Sequence, residues 1–314
     1  DDPLGLTVLH VPDSEHRTVD ILFIHGLGGT SMRTWCKNRD LDLLWPKHWL
    51  PEETDLSTAR ILTFGYHAHF STKKQQASLN IGEFANDLLF RMKYGEDGKD
   101  KMGQVPIIIV AHSMGGLVFK KACTPSDFME IIHGQLNEKY KKITSSIKSV
   151  LFLATPHRGT DVAETLNKML SSSIFGHSPK DYVTELTKNS PTIDELNEQF
   201  RHRAAKLKVL SFYETLGTNI GPVIVMISEK HSSVLCYQDE TPQPLVANHH
   251  DVCKFTSPDD SNYKSVRGAL RSVVNTLRFS GAGDPGAEQD LEAVQKWLRT
   301  TGAPDDDMTA FRSV

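Results

Sequence analysis

The sequence predicts an α/β fold, a doubly wound, mostly parallel sheet, and three observations carry that expectation. Short β-branched apolar runs alternate along the chain with helical patterns. Most of these runs lack strict apolar–polar alternation, as strands do when both faces of their sheet are covered. No internal repeat offers a solenoid or propeller instead. A chain of 314 residues is long enough to bury one large core of this kind.

The elements follow in order. Leu6–Val11 is the first strand-like run, and Val19–Ile24 the second, ending in His25-Gly26. Ala59–Phe64 is the third. Ile81–Tyr94 then reads as a helix, with Phe84, Leu88, Leu89 and Met92 on one face. Ile107–Val110 runs toward a serine, and the helical pattern Met114–Ala122 starts directly behind it. Val150–Ala154 leads to Thr155-Pro156, Val209–Tyr213 leads to Glu214, and Val223–Ile227 is expected as the last strand. Ser261–Leu277 is the helix that closes the core.

Two segments fit the alternation poorly. Asp161–Lys206 holds two helical patterns, Val162–Leu170 and Ile193–Leu207, and reads as a cap insertion. Its apolar residues Leu166, Met169, Leu170, Ile174 and Phe175 either wall an acyl chain or pack the cap on the core. The stretch "SGAGDPGAEQD" after Phe279 reads as a Gly-rich linker. A short helix bearing Leu291, Val294, Trp297 and Leu298 follows it. The expected division is an α/β domain over 1–279, with the cap at about 161–206, and a linker and helix over 280–314 leading to a further domain.

Composition removes several function classes. The net charge is −4 and no basic stripe with interleaved aromatics is present, so nucleic acid is not an expected partner. No apolar run approaches the roughly 18–20 residues that span a bilayer, and Asp1-Asp2-Pro3 does not read as a signal peptide. Cys36, Cys123, Cys236 and Cys253 form no CxxC pair and are expected as buried free thiols of a reducing, cytoplasmic protein. No HExxH or His/Cys cluster has metal-ligand spacing, so no metal is expected. No cofactor is expected either. The loop "FIHGLGGT" lacks the lysine of a P-loop, and Ser31 stands where a dinucleotide fingerprint needs its third glycine.

The chemistry is concentrated in "VPIIIVAHSMGGLVFKK", Val105–Lys121. A serine hydroxyl needs a base and an exposed position to act as a nucleophile, and a sharp strand–serine–helix turn supplies the exposure. Small residues two before and two after the serine let strand and helix approach; here they are Ala111 and Gly115, flanking Ser113. The "FIHGLGGT" loop can aim the Leu27 N–H at a substrate carbonyl oxygen, joined by the N–H of Met114 behind the nucleophile. His25, Gly26 and His112 flank this arrangement and are expected to support it. The base should follow the last core strand, where "LVANHHDVCKF" offers His249 and His250. The acid belongs after Val209–Tyr213, at Glu214, with Asp161, Glu229 and Asp251 as rivals.

Taken together, "HGLGG", "AHSMGGLVFKKA", "LFLATPHRGTD", "VLSFYET" and "ANHHDVCKF" resemble α/β-hydrolase, lipase-like domains related to the serine-active-site-containing proteins and to GPI inositol-deacylases. The version that this chain resembles most stands at the N-terminus of fungal NACHT-type NOD-like receptors, and the likeness spans Leu6–Leu277. It implies an α/β-hydrolase fold with Ser113 as nucleophile and Glu214 as acid. It selects His249, four positions before the cysteine of "VCKF", as base. Leu27 and Met114 match the oxyanion donors, and "TPHRG" (Thr155–Gly159) matches a segment expected to give structural support. Ala111 departs from the usual glycine. The tail resembles the stretch ahead of a NACHT nucleotide-binding domain, which implies an excised effector domain of a defence or cell-death receptor. The implied partners are an ester or lipid substrate, a membrane surface presenting it, and other copies of the chain through a full-length receptor. The alternatives are a catalytically silent recognition module, or a thioesterase or peptidase using the same triad.

Overall fold

The computed structural model describes residues 2–13, 17–68, 81–95, 101–124, 139–157, 193–220 and 222–281. Its centre is a sheet of seven strands: β1 (Gly5–His10), β2 (Val19–Ile24), β3 (Ala59–Gly65), β4 (Ile107–His112), β5 (Ile147–Leu153), β6 (Lys208–Glu214) and β9 (Thr241–Leu245). They lie in the order β1-β3-β2-β4-β5-β6-β9. β1 runs antiparallel to β3, and every other pair is parallel. The parallel pairs need crossovers, and α2 (Ile81–Tyr94), α3 (Met114–Cys123), α4 (Ile193–Ala204) and α5 (Lys230–Ser233) lie in four of them.

Burial explains why the central strands read as continuous apolar runs. Every residue of β2, β3 and β4 is buried. On one face, Leu22, Ile24, Leu62, Phe64, Ile109 and Ala111 join Phe84, Leu88 and Met92 of α2 and Leu117 and Val118 of α3 in one core. The opposite face carries Phe23, which meets Trp35 and Trp45 edge-on at centroid distances of 5.0 and 5.2 Å. Trp45, in α1 (Trp45–His48), packs in turn on Phe255 and on Tyr263 of α6 (Ser261–Gly281). Each such ring removed from water is worth roughly 1.5–3 kcal/mol.

Two expectations need correction. Val223–Ile227 is not a sheet strand: Val223–Val225 (β8) pairs antiparallel with Thr218–Ile220 (β7) in a separate two-stranded ribbon. A β-branched run marks strand conformation but not which sheet receives it. The seventh sheet strand is instead β9, "TPQPL", which pairs with β6 at the sheet edge and is exposed over four of its five residues. Its two prolines hid it in the sequence, and an edge is where a strand tolerates proline.

The second helix of the expected cap, α4, packs in the helical layer: Phe200 lies against Phe119 of α3 and Phe152 of β5. The first helix of that cap, its apolar stripe, Asp161 and the linker and helix over 282–314 lie outside the described residues. By its internal contacts the chain divides into Asp1–Val273 and Val274–Val314, and of the second unit only the C-terminal end of α6 is described. No helix among the described residues is long and apolar enough to cross a membrane. Cys36 and Cys253 are buried free thiols as expected, whereas Cys123 is half-buried and Cys236 exposed.

Candidate active site

Ser113 stands between β4 and α3 with φ 54° and ψ −127°. A non-glycine residue in this region is strained by about 1–3 kcal/mol and persists only where its surroundings enforce it. Here the Ser113 N–H donates to the carbonyl of Leu153 at 2.9 Å, and its own carbonyl accepts from the Gly116 N–H at 3.0 Å. The turn also depends on missing side chains. A Cβ on Gly115 would stand 2.5 Å from the backbone oxygens of Ile24 and His25, and one on Gly26 would stand 2.7 Å from Ser113 Cβ. Thr155, the first residue of "TPHRG", fills the space beside Gly116.

Three side chains from three strand ends converge. Ser113 Oγ lies 3.0 Å from His249 Nε2, and His249 Nδ1 lies 3.1 Å from Glu214 Oε2. All three residues are 2% exposed. Glu214 is the last residue of β6, and its second oxygen accepts from the Ser228 N–H at 2.6 Å. The carboxylate is therefore held by one backbone amide and faces the imidazole with its other oxygen. That arrangement makes His249 Nδ1 the protonated nitrogen and leaves Nε2 as the acceptor facing the serine.

The rival residues are placed elsewhere. His250 donates its backbone N–H to Asn248 Oδ1 at 3.0 Å, and burial, followed by the neighbouring His249, pushes its pKa down to about 4. Asp251 pairs with Lys37 at 2.9 Å, and Glu229 sits at the surface against His231.

The glycine-rich loop after β2 distributes its amides unequally. Gly28 donates to Ala68 and Gly29 to Gly26, at 3.0 and 3.1 Å. Leu27 is the loop residue expected to donate to a substrate oxygen, and its amide is uncommitted among the described residues. Met114, the other expected donor, opens α3, whose N-terminus favours developing negative charge. His25 anchors the loop. Its Nε2 accepts the Tyr66 N–H at 3.2 Å, so its Nδ1 carries the proton and donates to the Gly26 carbonyl at 2.9 Å. Tyr66 returns the contact through its hydroxyl to the His25 carbonyl at 2.7 Å, with the two rings stacked at 4.2 Å. His112 donates from Nε2 to the His249 carbonyl at 3.0 Å.

Tyr66, Thr218 and Ser228 escaped sequence reasoning. The Thr218 hydroxyl accepts the His249 N–H at 3.4 Å. No motif marks these three, because their contacts span 14 to 41 positions of chain. No group of three or more metal-ligating side chains occurs among the described residues.

No family model matches the chain. It is 31% identical over 302 residues to Protein SERAC1 of Danio rerio, covering 88% of this chain and 42% of that protein. To Protein SERAC1 of Homo sapiens it is 27% identical over 295 residues, covering 86% and 41%. The chain therefore spans about two fifths of the length of these relatives. Among solved structures, the mature Bacillus licheniformis lipase BlEst2 matches with a TM-score of 0.55 at 15% identity, over 86% of this chain and 99% of that one. The chain is thus homologous to SERAC1, and its fold is the α/β-hydrolase fold.

Proposed function

We propose that this chain is a serine hydrolase that cleaves esters through Ser113, His249 and Glu214. The observation that carries the reading is the continuous relay from Ser113 Oγ to His249 at 3.0 Å and on to Glu214 at 3.1 Å. His249 Nε2 takes the Ser113 proton as Oγ forms a bond to the ester carbonyl carbon. The carbonyl oxygen gains the charge and accepts from the N–H groups of Leu27 and Met114. The C–O bond to the alcohol then breaks, and the alcohol leaves with the proton from His249. Water, deprotonated by the same histidine, hydrolyses the acyl-enzyme and restores Ser113. Glu214 stays ionised and stabilises the imidazolium formed in each half.

A lipid ester, presented at a membrane surface, is the substrate class we propose; the likeness in fold to a lipase supports it. The wider role, an effector domain that oligomerises through a larger cytoplasmic receptor in fungal defence, rests on the resemblance of Lys254–Val274 to the segment that closes the fungal receptor domains and on the resemblance of the tail.

The test is covalent labelling with a fluorophosphonate. Wild-type protein is expected to label and Ser113→Ala to remain unlabelled. Absence of labelling in folded wild-type protein, alone and as an oligomer, would overturn the reading in favour of a silent recognition module. A parallel panel of p-nitrophenyl esters, phospholipids and acyl-thioesters separates ester from thioester chemistry.

A further inference from the structure

We propose that His112 is a positioning residue that, together with Ser113, forms a two-point clamp on the catalytic base; this rests on the serine-hydrolase reading above. Two adjacent residues at the end of β4 grip two ends of one residue. Ser113 Oγ meets the ring of His249 at 3.0 Å, and His112 Nε2 meets its main-chain carbonyl at 3.0 Å. His249 lies in a loop, and its backbone N–H has only the long 3.4 Å contact to Thr218. Without the His112 contact, the carbonyl side of that peptide would lose its tie to the strand that carries the nucleophile. With it, the spacing between nucleophile and base follows from β4 alone.

The proton on His112 is assignable. A carbonyl only accepts, so Nε2 carries the hydrogen. Nδ1 is buried and has no hydrogen-bond partner among the described residues. Protonating it would create a buried, unpaired N–H, in a ring 7% exposed and 5.2 Å from the His249 ring. Burial first, and His249 second, hold His112 well below the usual histidine range. A neutral donor suits the position, because a cation there would oppose the imidazolium that His249 becomes during acylation.

The test compares two uncharged amides that differ in reach. Gln extends an N–H to about where Nε2 stands, whereas Asn stops a methylene short. His112→Phe keeps a ring without a donor. Each variant is melted to verify folding, and the fluorophosphonate labelling rate is separated into probe affinity and bond formation. The expected result for His112→Asn and His112→Phe is about 10²-fold slower bond formation with affinity unchanged, the loss typical of an ångström of misplacement. His112→Gln is expected to recover the rate to within a few-fold of wild type. If Asn or Phe, whichever is folded, labels as fast as Gln, the clamp is overturned while the hydrolase reading stands. If wild-type protein fails to label, both fall.

Discussion

Gly115→Ala is the sharpest test of how the elbow works. The added Cβ would lie 2.5 Å from the carbonyl oxygens of Ile24 and His25, where ordinary contact begins at 3.4 Å. Both obstacles are backbone, so no side chain can swing away. Helix α3 and the end of β2 must separate by about 0.9 Å, and overpacking of this kind costs roughly 1–3 kcal/mol. At ~2–4 °C per kcal/mol for a domain of this size, the midpoint should fall by several degrees. The larger effect should be functional. The displaced residues lead directly into Leu27 and Met114, the two proposed oxyanion donors, and Met114 adjoins Ser113 at the start of α3. A shift near 1 Å should therefore slow fluorophosphonate labelling by about 10²-fold. Gly268 in α6 provides the control: a Cβ there meets nothing within 4 Å, so Gly268→Ala should leave labelling unchanged and add about 0.5–1 kcal/mol of stability. Stopped-time labelling with in-gel fluorescence, beside thermal melts of both variants, measures each quantity. If folded Gly115→Ala labels within threefold of wild type, close packing of α3 on β2 does not set the oxyanion geometry, and the reasoning fails.

Three further outcomes follow from the same structure. Glu214→Gln keeps an oxygen for the Ser228 N–H but removes the anion that holds the His249 tautomer, so ester turnover should drop by about 10³–10⁴-fold with little change in KM. His250 and His112 both have folded-state pKa values below the ordinary 6.5, to about 4 for His250. Below pH 6.5 the unfolded chain therefore binds protons that the folded chain refuses, so stability is full above that pH and falls steadily toward pH 4; denaturant titrations at pH 7 and 5 should show the loss, and His250→Gln should reduce it. Arg60→Ala strips Asp20, fully buried, of its bidentate partner at 2.9 Å and leaves only the contact to Arg17, which should cost about 3–5 kcal/mol in chemical denaturation.

Much of the architecture was legible because the physics was local. The central strands β2, β3 and β4 are apolar runs buried throughout, and Ser113, Glu214 and His249 follow in chain order at or behind the ends of β4, β6 and β9. Ala111 also ceases to be an anomaly: its Cβ is buried in the core among β4, α2 and α3, and the close approach that forbids a side chain falls on Gly115 instead.

Other features had no local signal. β9 is an exposed, proline-bearing edge whose strand state depends on β6 beside it. The choice between His249 and His250 is likewise tertiary. Adjacent residues share every sequence property, and only the anchoring of the loop by His112 and Thr218 turns one ring toward Ser113. By itself the sequence determined the element types, the strained serine turn and the residue types able to work there, since these depend on backbone sterics and periodicity within a few positions. The tertiary structure alone decided that the Gly28 amide is committed to Ala68 and which carboxylate reaches the imidazole. The Glu214–His249 contact spans 35 positions and the Gly28–Ala68 contact 40, so both are set only once the two cores have closed.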